Sequence, residues 1–290
     1  MTLRVSTLCL RGGAALAMFL AMSWPARSEG QGAPLYVGMG STDARWEATL
    51  DARIGFPEGS LRVGENGTHG TRLNLHKDLS MDFSEALEAS LAFHFTPRDA
   101  VRATGLYYFL EGSQFARQGI LYDGDTFGQG RVRANADFYR LSLDYERLLL
   151  NGYGMFLTGT AGLTYVHLDP KLSGQGRHSR ENFYRHELPV PIAGIRIDIP
   201  MGDRFAARAS VGGGGLPAVD SLRKEDGRTV HLTQIHVDGG LAVTYAVTRN
   251  VLLEAGYRYT YFFQHETSRE TDNAFELSDN GFRFGLSVAF

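Results

Sequence analysis

The sequence predicts an all-β fold: an antiparallel up-and-down transmembrane β-barrel of about ten strands spanning residues 45–290. Three observations carry this. Segments of roughly ten residues alternate apolar with polar or small side chains, the period of an element whose side chains point to opposite faces in turn. The connections between them alternate short and long. Aromatic residues bunch at both ends of the segments. The last stretch, Asn280 to Phe290 (NGFRFGLSVAF), shows the pattern most cleanly. Phe282, Phe284, Leu286, Val288 and Phe290 fall on one face, and Arg283, Gly285, Ser287 and Ala289 on the other.

The amino terminus reads as a targeting segment. Arg4 and Arg11 precede an apolar run, Ala14 to Trp24, and Ala26-Arg27-Ser28 places small residues where a signal peptidase needs them, so cleavage is expected after Ser28. The run is shorter than the ~20 residues of a spanning helix. Residues 29–44 are Gly-rich and polar and are expected to form a flexible lead-in. Cys9 is the only cysteine and lies in the expected signal, so the mature chain would carry neither disulfide nor thiolate chemistry. Without residues 1–28 the chain holds 26 basic and 32 acidic residues, a balance that argues against nucleic acid as a partner. Mean hydropathy is only −0.19, which a barrel tolerates because lipid-facing and lumen-facing residues interleave.

Taken in order, Arg45 to Phe56 sets Trp46, Ala48, Leu50, Ala52, Ile54 and Phe56 against Glu47, Thr49, Asp51 and Arg53. A long polar segment, Pro57 to Glu85, leads to a second strand, Ala86 to Phe95. Thr96-Pro97-Arg98-Asp99 is a tight turn. The third strand, Val101 to Leu110, and the fourth, Phe138 to Arg147, flank a long segment from Glu111 to Arg133. A turn near Asn151-Gly152 opens the fifth strand through Tyr165. Asp169 to Glu187 is long, and Pro189 and Pro191 mark the start of a sixth strand that sets Ile195, Ile197 and Ile199 against Arg196 and Asp198. A turn over Pro200 to Asp203, a seventh strand through Phe205 to Val211 and a long segment, Leu216 to Val230, follow. An eighth strand (Ile235 to Tyr245), a turn at Thr248-Arg249-Asn250, a ninth strand (Val251 to Phe263), a long acidic loop (Gln264 to Asp279) and the closing strand complete the chain. Strands of this length, even in number, suit a tilted membrane crossing; a soluble β-sandwich, the competing reading, uses shorter strands and no such rule for its loops. Phe56, Tyr107, Tyr108, Phe109, Tyr139, Tyr165, Tyr261, Phe263 and Phe282 would lie in a girdle at the loop end, and Trp46, Phe93, Phe95, Tyr145, Phe205, Tyr245 and Phe290 at the turn end.

A final amphipathic strand closing on an aromatic carboxylate resembles the end of small bacterial outer-membrane β-barrels. The resemblance covers nearly all of the chain after residue 28. It implies a multi-pass position in the outer membrane of a Gram-negative bacterium, with short periplasmic turns and long extracellular loops. It also implies contact with lipopolysaccharide and a terminal Phe290 read by the barrel-insertion machinery. A monomer is expected.

The inward set would be Asp51, Arg53, Glu88, His94, Arg102, Arg140, Asp144, Glu146, Arg196, Asp198, His236, Asp238, Glu254, Arg258 and Arg283. Mixed signs facing a narrow interior are expected to pair with one another rather than form an active site. The favoured function is therefore non-enzymatic: structural, surface-binding or a narrow, porin-like pore that passes at most ions or very small molecules. The alternative is a hydrolase at the loop-side rim. His236 and Asp238 share a face, and the resemblance there is to the omptin outer-membrane proteases, whose aspartate–histidine pair runs in the opposite order; Asp123 and Asp125 could be called a second acidic pair, but in a Gly-rich loop. His69, His76, His178 and His186 lack metal-ligand spacing, Asp123 to Asp125 lacks the acidic end residue of a calcium loop, and the glycines at 212–215 open no helix. No cofactor or metal is expected.

Overall fold

The computed structural model of the chain describes residues 44–290 apart from 66, 68, 153, 175–176, 181–187, 221–229 and 270. The expected signal, Cys9, His186 and all of the lead-in but Ala44 lie outside the described residues. Among the described residues ten long strands follow in order: β1 Trp46–Arg62, β2 Ser84–His94, β3 Asp99–Ala116, β4 Gly130–Gly152, β5 Met155–Gly174, β6 Val190–Met201, β7 Phe205–Asp220, β8 His231–Ala246, β9 Val251–Thr267 and β10 Asp272–Ala289. Each pairs antiparallel with its sequence neighbours, and β10 pairs with β1 from Glu47↔Ala289 to Arg62↔Ala274. The ring is closed, so these strands leave no free edge. Phe290 and Trp46 exchange two backbone hydrogen bonds of 2.9 and 3.0 Å at the seam.

Alternation decides the two faces. Ile54, Leu87, Leu91, Leu141, Leu143, Leu163, Ile195, Val211, Leu241, Leu253, Phe282 and Phe284 all lie exposed on the outside, Leu241 at 67% and Leu143 at 59%. An apolar belt around a whole molecule is far larger than the patches water-soluble monomers leave bare. Aromatic pairs rim it at the turn end (Trp46–Phe93 at 4.7 Å, Phe205–Tyr245 at 5.0 Å) and at the loop end (Tyr107–Phe109 at 4.6 Å, Tyr257–Phe282 at 5.7 Å).

Three expectations need correction. The strands outrun the apolar pattern: β1 continues past Phe56 to Arg62, β3 reaches Ala116, β4 starts at Gly130, and β10 starts at Asp272. The long acidic loop expected over Gln264 to Asp279 is therefore a continuation of β9 and β10 around a tight connection, where Ser268 N–H donates to the Thr271 carbonyl at 2.9 Å. A hydrogen-bonded ladder needs no apolar face once it leaves the membrane, and alternation alone cannot register that stretch. Tyr108 does not join the girdle; it points inward and is fully buried. The glycines 212–215 lie within β7 rather than after a strand.

Candidate functional site

The lumen has two unlike halves. On the loop side it is packed with apolar side chains. Leu106, Tyr108 and Leu110 of β3, Phe138 of β4, Leu168 of β5, Phe262 of β9 and Phe275 of β10 face inward, and two connections fold in over them. The first, between β1 and β2, brings Val63, Leu73, Leu75, Leu79 and Met81. The second, between β3 and β4, brings Ile120, Tyr122 and Phe127. Phe138 contacts Phe262 at 5.1 Å and Tyr108 at 5.4 Å, both edge to face. The second connection is a miniature hairpin, Ile120–Tyr122 paired with Asp125–Phe127. Asp123 and Gly124 carry φ of +52° and +72°, so the Asp-Gly dipeptide forms the tight two-residue turn that favours those residues. That is what Asp123-Gly124-Asp125 does; it is no second acidic pair. Thr71 N–H donates to the Leu121 carbonyl and Leu121 N–H to Thr71 Oγ1, at 2.8 and 2.9 Å, tying the two connections together.

On the turn side the lumen is charged. Every residue of the expected inward set lies there, and all but Asp144 and His236 form ion pairs. One chain of alternating sign passes around the barrel. Arg102 joins Glu47 and Glu146; Arg196 joins Glu146 and Asp198; Arg208 joins Asp198 and Glu254; Arg283 joins Glu254 and Asp51. Glu47 and Asp51 both lie on β1, so the belt closes on the strand where it began. Arg196 reaches over β5 to Glu146, and Arg208 over β8 to Glu254, because the inward residues there are small: Thr158 and Thr160 on β5, Gly240 and Ala242 on β8. A second cluster spans the centre, Arg53–Glu88–Arg258–Asp238–Arg140, with Arg140 at 2.7 Å from Asp238.

His236 and Asp238 share the lumen face as the alternation requires, yet they form no dyad. Asp238 accepts from Arg140, Thr260 and Arg258. His236 is 2% exposed, packs on Phe262 at 4.9 Å, and neither ring nitrogen has a hydrogen-bond partner. Both lie beneath the apolar plug, not at the rim. Among the described residues no group of three His, Cys, Asp or Glu is placed to hold a metal ion. His76 pairs with Asp82 at 3.0 Å, and His69 with Asp272 at 2.7 Å.

No protein-family model and no curated protein matches the chain. Among solved structures it is similar to the outer-membrane protease OmpT of Escherichia coli, at a TM-score of 0.48 and 11% identity over 84% of this chain and 97% of that one. It is also similar to the transport unit of the autotransporter AIDA-I of Escherichia coli (0.41, 12%, 96% and 98%) and to OprG of Pseudomonas aeruginosa (0.39, 10%, 87% and 98%). The strand pairing itself makes the fold a closed, ten-stranded antiparallel β-barrel with an apolar belt outside. Within it, sequence reasoning placed the lumen charges but missed the plug. A signal was present: Leu106 to Leu110 (LYYFL) and Phe262-Phe263 are apolar on both faces, so the inward face of those strands turns apolar toward the loop end.

Proposed function

We propose that this outer-membrane barrel is plugged and non-enzymatic, and that it works at its extracellular surface as a structural or binding protein in the outer membrane of a Gram-negative bacterium. The observation that carries this is the apolar plug. These fifteen buried apolar side chains from the barrel wall and two inward-folded connections occupy the mouth, and each large one contributes about 1.5–3 kcal/mol by leaving water. The strands that project beyond the belt form a rigid collar, and loops held on such a scaffold are where surface proteins carry recognition. Lipopolysaccharide around the belt, a monomeric state and delivery through the carboxy-terminal strand belong to the same reading.

The test is single-channel recording of the refolded mature protein in a planar bilayer, with gel mobility before and after boiling as the check on folding. Heat-modifiable protein without discrete openings is expected. Reproducible openings in the unaltered protein would overturn the plugged reading in favour of a narrow pore. The hydrolase reading predicts hydrolysis of peptide substrates that His236→Ala abolishes; the proposal predicts no hydrolysis by either protein.

A further inference from the structure

Within the charged half of the lumen lies a cavity of about 230 Å³, lined among others by Asp51, Ser142, Asp144, Thr164, His236 and Arg258. Its wall on β5 to β7 is nearly bare, because Thr160, Gly194 and Gly212 follow one another in register there. The arginines around it are committed elsewhere: Arg102 to Glu47 and Glu146, Arg140 to Asp238, Arg196 to Glu146 and Asp198. Asp144 is left over. It makes no ion pair and no hydrogen bond among the described residues, although it faces the cavity two residues from Glu146. Two further buried side chains line the same cavity with hydrogen bonds unmade. Asp51 Oδ1, 3.5 Å from the Arg283 guanidinium, accepts no hydrogen bond, with the residue 3% exposed, and neither nitrogen of the buried His236 has a partner. Unmade hydrogen bonds of buried groups are costly, and Asp144 beside them is half-buried.

We infer that this cavity is a binding site for a small protonated amine that also carries an oxygen acceptor, the size of an amino alcohol or a small amino acid. The ammonium group would lie at Asp144, where Ser142 Oγ and Thr164 Oγ1, 2.9 Å apart, add hydroxyl acceptors. An oxygen on the same molecule would meet Nε of Arg258 or Arg283, donors that also lack partners. A divalent metal fits less well, because among the described residues no three ligating side chains converge. The site does not depend on the plugged reading, since a conducting barrel would hold the same residues.

The probe is ethanolamine hydrochloride, titrated calorimetrically into the refolded full-length mature protein in detergent micelles, with ethylene glycol as the uncharged control. Saturable binding of ethanolamine is expected, with none of ethylene glycol. Asp144→Asn removes the charge without changing shape and relieves its proximity to Glu146, so it should refold; it is expected to weaken binding about tenfold or more, the scale of one charged hydrogen bond. His236→Phe keeps the packing on Phe262 and is expected to weaken binding severalfold, and it carries the test if Asp144→Asn does not regain its heat-modifiable mobility. Absence of saturable binding, equal binding by the variants, or equal binding of ethylene glycol would each overturn the inference.

Discussion

Glu254 shows what single lumen residues do. Its carboxylate holds Arg208 at 2.6 Å and also pairs with Arg283, so it links β7, β9 and β10 across the seam side of the barrel. Replacing it with Gln would leave two buried guanidinium groups short of a counter-charge, and breaking a buried pair in this way costs about 3–5 kcal/mol. Glu254→Gln is therefore expected to lower the urea midpoint of the refolded barrel clearly, while Glu58→Gln, at an exposed position, is expected to leave it in place. Gly59 is a second such point. Its φ of +141° is a region L residues rarely enter, and a Cβ there would meet the Glu276 carbonyl oxygen at 2.0 Å. Gly59→Ala is expected to cost about 1–3 kcal/mol in the same unfolding experiment. At this scale the sequence was informative about direction and silent about partners. Period two put Arg196 and Glu254 inside, but nothing in the order of residues says that Arg196 passes over β5 to Glu146. That follows from the small size of Thr158 and Thr160 once the register is known. His236 and Asp238 were legible as neighbours on one face, and for the same reason their lack of a mutual hydrogen bond was not.

The connections carry what the strands could not announce. Asp272, at the outer start of β10, gathers the tip of the collar. It pairs with Arg62 and His69, both at 2.7 Å, and with His265 at 3.0 Å. Alongside, its N–H donates to the Gly64 carbonyl, and Gly64 N–H donates to Asn273 Oδ1. Partial burial pushes this carboxyl upward, but hydrogen bonds from His265 and His69 and the Arg62 guanidinium outweigh it and hold the group below the usual carboxylate range. A carboxyl lowered on folding stabilises the folded tip above its unfolded value and loses that contribution only as pH falls through its folded value. The connection between β1 and β2 is thus expected to resist protease digestion down to about pH 4, the ordinary aspartate value, and to open only below it. Asp272→Asn should be digested faster than the parent above about pH 4, the ordinary aspartate value; equal digestion there would show that the latch holds nothing. The Asp-Gly turn at 123–124 is a local signal that the sequence reading took for an acidic pair in a loop, whereas the contact of Thr71 with Leu121 joins segments 50 residues apart and leaves no local trace. Removing 120–127 takes three buried side chains from the plug and is expected to raise bilayer conductance above that of the intact protein.

For the whole molecule the outer belt and the closing seam were the most legible features, because both follow from alternation and from an even strand count. Closure commits every strand to two partners, so the last strand must arrive before the ring is complete. Phe290 sits at that step. Its backbone completes the ladder with Trp46, while its side chain is 57% exposed on the lipid side and contributes little to packing. Folding and delivery are therefore separable there. Phe290→Ala is expected to refold in detergent micelles with unchanged heat-modifiable mobility and a urea midpoint within about 0.5 kcal/mol of the parent, as for exposed sites generally. In cells the same variant is expected to accumulate less in the outer membrane if an insertion machinery reads the terminal aromatic. Equal accumulation would assign the final strand to closure alone, and loss of refolding in micelles would show that the ring itself needs the aromatic.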